Sequence, residues 1–268
     1  MNIKFYAPLL AATIVAACTT KSKHPQSELA NQSAASAETD QSINFYADSL
    51  DKQVSNHEKQ QSMAYHLAEQ SLYIEKFNWN GKAVMYIQYL KNEGISEKTT
   101  KYYLKNDSVL LIKESLKRHQ GQGELFEDRQ IYIRNHTPFK TTQRSADSFG
   151  ALQAKNFADL KAPVSPVDFQ TELSNLNDAL KGVNKFDMVF DQFISTAEGD
   201  FLLLKSKIPG GYGSSIRVNE RDQLIDSIQN EPAFFKDAKL NISWKVADHE
   251  AVYVPVASSI TSAKGLKR

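Results

Sequence analysis

Leu72-Tyr73-Ile74-Glu75-Lys76-Phe77-Asn78-Trp79, then Asn80-Gly81, then Lys82-Ala83-Val84-Met85-Tyr86-Ile87-Gln88-Tyr89 is the stretch that decides the fold. Both flanks are rich in aromatic and β-branched residues, which suit a pleated, half-buried surface. Asn-Gly between them supplies two neighbouring positions that tolerate positive φ, as a tight hairpin turn requires. The stretch therefore predicts two antiparallel strands.

The same logic recurs downstream. Tyr102-Tyr103-Leu104, Asn106-Asp107 and Val109-Leu110-Leu111-Ile112 predict a second hairpin. Gln130 to Arg134, then Asn135-His136-Thr137, then Phe139 to Thr142 predict a third. The last two share a pattern at an offset of 29 residues, which raises the question of a repeat. Residues 43–145 are read as an antiparallel meander of six to eight strands, either a curved sheet or an open barrel. Strands this rich in Tyr and Phe require a covering element. Ahead of them, Ile43 to Gln70 carries Phe45-Tyr46, Leu50, Val54, Met63 and Leu67 at weakly helical spacing and predicts a peripheral helix.

The expected cover is the helical connector at 146–185. Ala162-Pro163-Val164-Ser165-Pro166 breaks the chain, Ser165 suits a cap and Pro166 a first turn. Phe169, Leu173, Leu176, Leu180 and Val183 then form one apolar stripe, with Gly182 at its end. Residues 186–258 return to strand, with a short helix near Arg221–Gln229 capped by Asn219. Five strands around one helix predict a small OB-like β-barrel, and 259–268 form a tail. The fold class is thus mainly β with some α.

The segment before the body carries a different signal. Lys4 precedes an apolar run from Phe5 to Ala17, shorter than the ~20 residues that span a bilayer. Val15-Ala16-Ala17-Cys18 closes it, and Cys18 is the single cysteine of 268 residues. This run resembles the lipobox of a bacterial lipoprotein signal peptide. The resemblance implies cleavage after residue 17 and acylation of Cys18 with palmitate-type chains. Two or more such chains hold a protein on a membrane without a spanning helix. Thr19, rather than Asp, implies outer-membrane sorting with the body facing the periplasm. Residues 18–42, rich in Ser, Ala, Gln and Lys, read as the lipidated residue followed by a tether.

Charge and composition exclude several classes. The chain has 32 basic and 31 acidic residues, so it lacks the field that draws a protein to nucleic acid. One cysteine rules out an internal disulfide, CxxC chemistry and a cysteine-based zinc site. The Gly210-Gly211-Tyr212-Gly213-Ser214-Ser215 loop lacks the lysine and following helix of a phosphate cradle. Neither of its serines sits in GxSxG. Of six histidines none forms HExxH, and His249 between Asp248 and Glu250 reads as a solvated turn. The lysine clusters Lys98/Lys101/Lys105 and Lys113/Lys117/Arg118/His119 read as solvated strand edges. Tyr102, Tyr103, Tyr132 and Trp244 are potential stacking platforms whose alternation favours core packing.

No catalytic, cofactor-binding or metal-ligating residue is assigned, and lipidation at Cys18 is the one site. The expected function is non-enzymatic binding of an envelope protein or an incoming toxin. Carriage of an apolar ligand and cell-wall hydrolysis are the alternatives.

Overall fold

The computed structural model describes residues 39–161, 169–247 and 250–255. Cys18 and its lipobox, Ser165, Pro166, His249 and the tail from 256 lie outside these residues.

The chain runs as helix α1 (Asp40–Gln53), β1 (Glu58–Gln61), β2 (Tyr65–Leu67), β3 (Gln70–Trp79), β4 (Lys82–Asn92), β5 (Ser96–Lys105), β6 (Ser108–Gln120), β7 (Gly123–Arg134) and β8 (Thr137–Ala146). It continues through α2 (Phe149–Ala154), β9 (Ala158–Asp159), α3 (Phe169–Lys181), β10 (Met188–Thr196), β11 (Gly199–Ser206) and β12 (Gly213–Val218). It closes with α4 (Gln223–Asn230), α5 (Pro232–Phe235), β13 (Ser243–Ala247) and β14 (Glu250–Val254). The fold is mainly β, with a few helices.

All three expected turns form. Asn80 and Gly81 have φ of 50° and 74°, Asn106 and Asp107 of 50° and 62°, and Asn135 and His136 of 49° and 61°. Each hairpin has the same construction. A two-residue turn is followed by two paired positions, and then one residue of the returning strand is skipped. That residue is Val84, Leu110 or Phe139. Such a bulge strengthens the local right-handed twist.

Pairing across β3 to β8 sets the side chains in rows. Phe77, Met85, Tyr103, Leu111, Tyr132 and Lys140 form one row, and Lys76, Tyr86, Tyr102, Ile112, Ile131 and Thr141 form the neighbouring row on the opposite face. Both rows are largely buried. The expected single cover is therefore two covers, one per face, which is why Val109-Leu110-Leu111-Ile112 is apolar without alternation.

On the first face lies α1, with Ile43, Ala47 and Leu50 packed against Phe77, Met85, Ile87, Tyr103, Leu111 and Tyr132. The expected helix over 43–70 stops at Gln53, because Glu58–Gln61 and Tyr65–Leu67 pair along β3. Ser62, fully buried, marks the break between them. Its backbone N–H donates to the Ile74 carbonyl at 2.9 Å, and its hydroxyl accepts from the Ile74 N–H at 3.0 Å. The side chain stands in for the carbonyl that the kinked strand withdraws.

On the second face lies α3. Phe169 and Leu176 are buried there and Leu173 and Leu180 pack beside them, as the stripe predicts, with Ala179 also buried; Val183, its last expected member, lies past the helix end and is exposed. Gly182 takes φ 60° just past the helix end, and Val183 N–H reaches back to Asp178 O while Gly182 N–H reaches Ala179 O. These two bonds are the Schellman stop that glycine permits.

The second β stretch does not close into an OB-like barrel. β10, β11 and β12 pair in order, and β12 then bridges to β2 through Gly213 and His66, continuing the same sheet. β14 joins β12 in parallel through Ile216–Ala251 and Arg217–Val252, with β13 outside it. β10 and β9 end the main path unpaired to each other, so the fourteen-stranded sheet is open. One apolar cluster runs from Leu72 and Ile131 to Phe190, Ile228 and Tyr253, through both β stretches. The cap of α4 is Asp222, whose carboxylate accepts from Ile225 N–H, rather than Asn219.

Candidate functional site

A cavity of about 270 Å³ lies on three neighbouring strands. Its lining takes Ser71-Leu72-Tyr73 from β3, Tyr89-Leu90-Lys91 from β4 and Glu97-Lys98-Thr99 from β5, with Ala64 from the kink before β2. These triplets are register partners, so the cavity sits squarely across the sheet.

Beside it, Tyr73 and Tyr89 stack across the strands with ring centres 5.0 Å apart and planes 12° from parallel. Their hydroxyls converge on Glu75, two residues along the same face of β3. Tyr89 donates to Oε2 at 3.1 Å, and Tyr73 makes a short bond to Oε1. Oε1 also accepts from the Lys59 ammonium and the Gln61 amide, each at 3.1 Å. Gln61 reaches the Tyr73 hydroxyl as well, at 2.8 Å. Glu75 is only 9% exposed.

Burial by itself would raise the Glu75 carboxyl. The Tyr73 hydroxyl, the Lys59 ammonium and the Gln61 amide outweigh it and hold the group below its ordinary value. Burial and the Glu75 charge push both tyrosines well above theirs. At neutral pH the cluster is therefore one carboxylate held by neutral donors and one ammonium. Its carboxylate oxygens are already occupied, so the cluster fixes ring positions and has little capacity to take up a proton.

The ions at the cavity rim are also paired. Lys91 meets Glu97 at 3.5 Å and Lys98 meets Glu114 at 2.5 Å. The cavity thus offers apolar and aromatic surface with its charges locally balanced. Such a site accepts a neutral or amphipathic group more readily than an ion.

A second cavity of about 120 Å³ lies where α3 ends, against Met63, Tyr65, Phe186, Leu240, Ile242 and Trp244. Both volumes fall below the roughly 300–1,000 Å³ of sites that enclose a whole small molecule.

Tyr102, Tyr103 and Tyr132 are buried anchors for the two helices; alternation places only some of them inside, and the neighbours Tyr102 and Tyr103 are both buried because each face has its own cover. Tyr103 donates to Asp51 of α1 at 2.8 Å, Tyr132 meets Asn44, and Tyr102 bonds Glu172 of α3. Tyr86 and Tyr65 add bonds to Asn177 and to the Ala179 carbonyl. Trp244 is half-buried beside the second cavity.

The lysine clusters divide. Lys101 and Lys113 bind Asp51 and Asp48 of α1, at 2.9 and 3.0 Å, and so hold a helix rather than guard an edge. The glycine loop is a close turn. A Cβ on Gly211 would stand 2.7 Å from Ser206, and one on Gly213 would stand 3.2 Å from the Leu204 carbonyl. Ser214 donates its hydroxyl to the Ala64 carbonyl at 2.7 Å. Among the described residues no three His, Asp or Glu side chains converge on a metal position.

Tyr73, Glu75 and Tyr89 escape a reading of the sequence. The available signal is a carboxylate in phase with Tyr73 and Phe77 on one apolar face, the inward charge that alternation does not predict. Comparison with protein-family models, curated proteins and solved structures returns no match.

Proposed function

We propose that this chain is a non-enzymatic binding protein of the bacterial envelope, moored by acyl chains on Cys18 with its body facing the periplasm. The cavity on β3–β5 is the recognition site, and it receives a neutral or amphipathic group projecting from an envelope protein or an incoming toxin. The observation that carries this reading is the Tyr73–Tyr89 pair held in place by Glu75 at the cavity wall. A rigid aromatic wall with locally balanced charge is pre-organised for contact. The small cavity volumes favour insertion of part of a partner over enclosure of a whole lipid.

A photo-activated cross-linking residue at position 91 or 98 of the full chain, expressed in cells, tests the site. A single adduct of defined mass is expected at both positions and none at position 226 on α4. Equal labelling at all three positions, or none at 91 and 98, refutes the recognition site. Attachment is read separately. Wild-type protein is expected to begin at an acylated Cys18, and Cys18→Ser to remain uncleaved.

A further inference from the structure

The two ends of the meander differ in chemistry. At one end lie the three two-residue turns, Asn80-Gly81, Asn106-Asp107 and Asn135-His136. Trp79 stands there half exposed, and Phe139 is 41% exposed. Phe45, on the outward side of α1, is 78% exposed. The tips carry the basic residues Lys82, Lys105 and Arg134 and the acid Asp107. Arg134 lies over the Phe139 ring at 4.4 Å and Lys105 over the Tyr46 ring at 5.8 Å, each cation beside an aromatic. Glu58, opposite Asn78, Lys52, near the end of α1, and the Asp40–Lys140 pair add further charge there. At the other end the turns are Glu93-Gly94-Ile95 and Gly121-Gln122; Ile95, 51% exposed, is aliphatic rather than aromatic, and the flanking Glu97 and Glu124 are paired with Lys91 and Lys117.

The chain also enters at the first end. Asp40, which opens α1, is bound to Lys140, five residues past Asn135. The 21 residues 19–39 between Cys18 and Asp40 span at most about 70 Å when extended. A link that long sets a maximum distance to the membrane and leaves the tilt of the sheet undetermined.

We propose that the hairpin-tip end docks on a phospholipid surface carrying anionic headgroups. Exposed Trp and Phe with neighbouring Lys and Arg is the composition that settles at a lipid–water interface. The tips then supply orientation, while the acyl chains proposed on Cys18 supply affinity; this role rests on that anchoring. Ser71 lies eight residues from Trp79 along β3, so at ~3.3 Å per residue the recognition cavity stands about 25 Å above the lipid. It lies toward the end of these strands opposite the tips.

The test uses full-length protein with Trp244→Phe, which leaves Trp79 as the one tryptophan, reconstituted into vesicles of phosphatidylglycerol and phosphatidylethanolamine with brominated acyl chains. Trp79 emission is expected to shift to the blue and to lose intensity. In the reciprocal Trp79→Phe chain, Trp244 emission is expected to stay unquenched. Cys18→Ser protein, which keeps its apolar leader, is expected to bind anionic vesicles, and Lys82→Gln to weaken that binding about fivefold. Unquenched Trp79 on protein whose Cys18 is shown by mass spectrometry to be acylated overturns the proposal and leaves the anchoring intact. So does protection of the tips by a protein partner without lipid. Vesicle binding of Cys18→Ser that depends on Lys82, found together with an unacylated wild type, upholds the docking surface and removes the anchor.

Discussion

Glu75 is the most consequential single side chain in the β3–β5 region. It is a buried carboxylate in a strand that is otherwise apolar on that face, and it persists because four donors meet it. Glu75→Gln keeps the shape and removes the charge that Lys59 and the two tyrosines are arranged around. Urea unfolding at pH 7 is expected to show a loss of about 2 kcal/mol, the scale of a hydrogen bond to a charged group. The pH dependence gives a second reading. The carboxyl is depressed in the folded chain, so its contribution is complete above the unfolded value of 4.5 and is lost as pH falls through the lower folded value. Wild-type stability should fall across that acid window more steeply than that of Glu75→Gln; parallel curves would refute the assignment. Gly211→Ala is a steric test at the same scale. The new methyl would meet Ser206 Cβ and Oγ at 2.7 Å and the Ile208 carbonyl at 2.9 Å, so a loss of about 1–3 kcal/mol is expected in denaturant titration.

The elements differ in how they are held, and this explains which were legible. The three turns follow from adjacent residues, and the α3 stripe from four residues in one helix, so both can be read locally. Helix α1 buries Ile43, Ala47 and Leu50 on the sheet, with Tyr46 half-buried beside them. The rest of its attachment is polar, from Asp40 to Lys140, Asp48 to Lys113 and Asp51 to Lys101 and Tyr103. Those partners lie 50 or more residues away, where no periodicity reveals them. Ala47→Glu, at a fully buried position, is expected to release α1 while β3–β7 stay formed. Hydrogen exchange should then show fast exchange in 40–53 and continued protection in the strands. Uniform loss of protection would mean that α1 is integral to the sheet. Leu176→Ala on α3 is expected to cost about 2–5 kcal/mol, because that side chain is buried in the larger apolar cluster.

At the scale of the whole molecule, the decisive contact is among the smallest. Gly213 faces His66 as the sole register pair between β12 and β2, yet through it both β stretches belong to one sheet. Nothing in either local sequence specifies that pairing, and the OB-like expectation failed for this reason. The shared apolar cluster predicts one cooperative transition. Trp79 and Trp244 lie in different stretches, so single-tryptophan variants should report the same denaturation midpoint; two midpoints would mean two folding units. A last property follows from the matching bulges after the three tips. Each hairpin carries its own turn, its own skipped residue and its own twist, and hands an unchanged edge to the next. Width is thus a countable quantity in this architecture: a duplicated hairpin can be spliced in or lost without re-registering its neighbours, and related chains are to be sought as broader or narrower versions of the same ribbon.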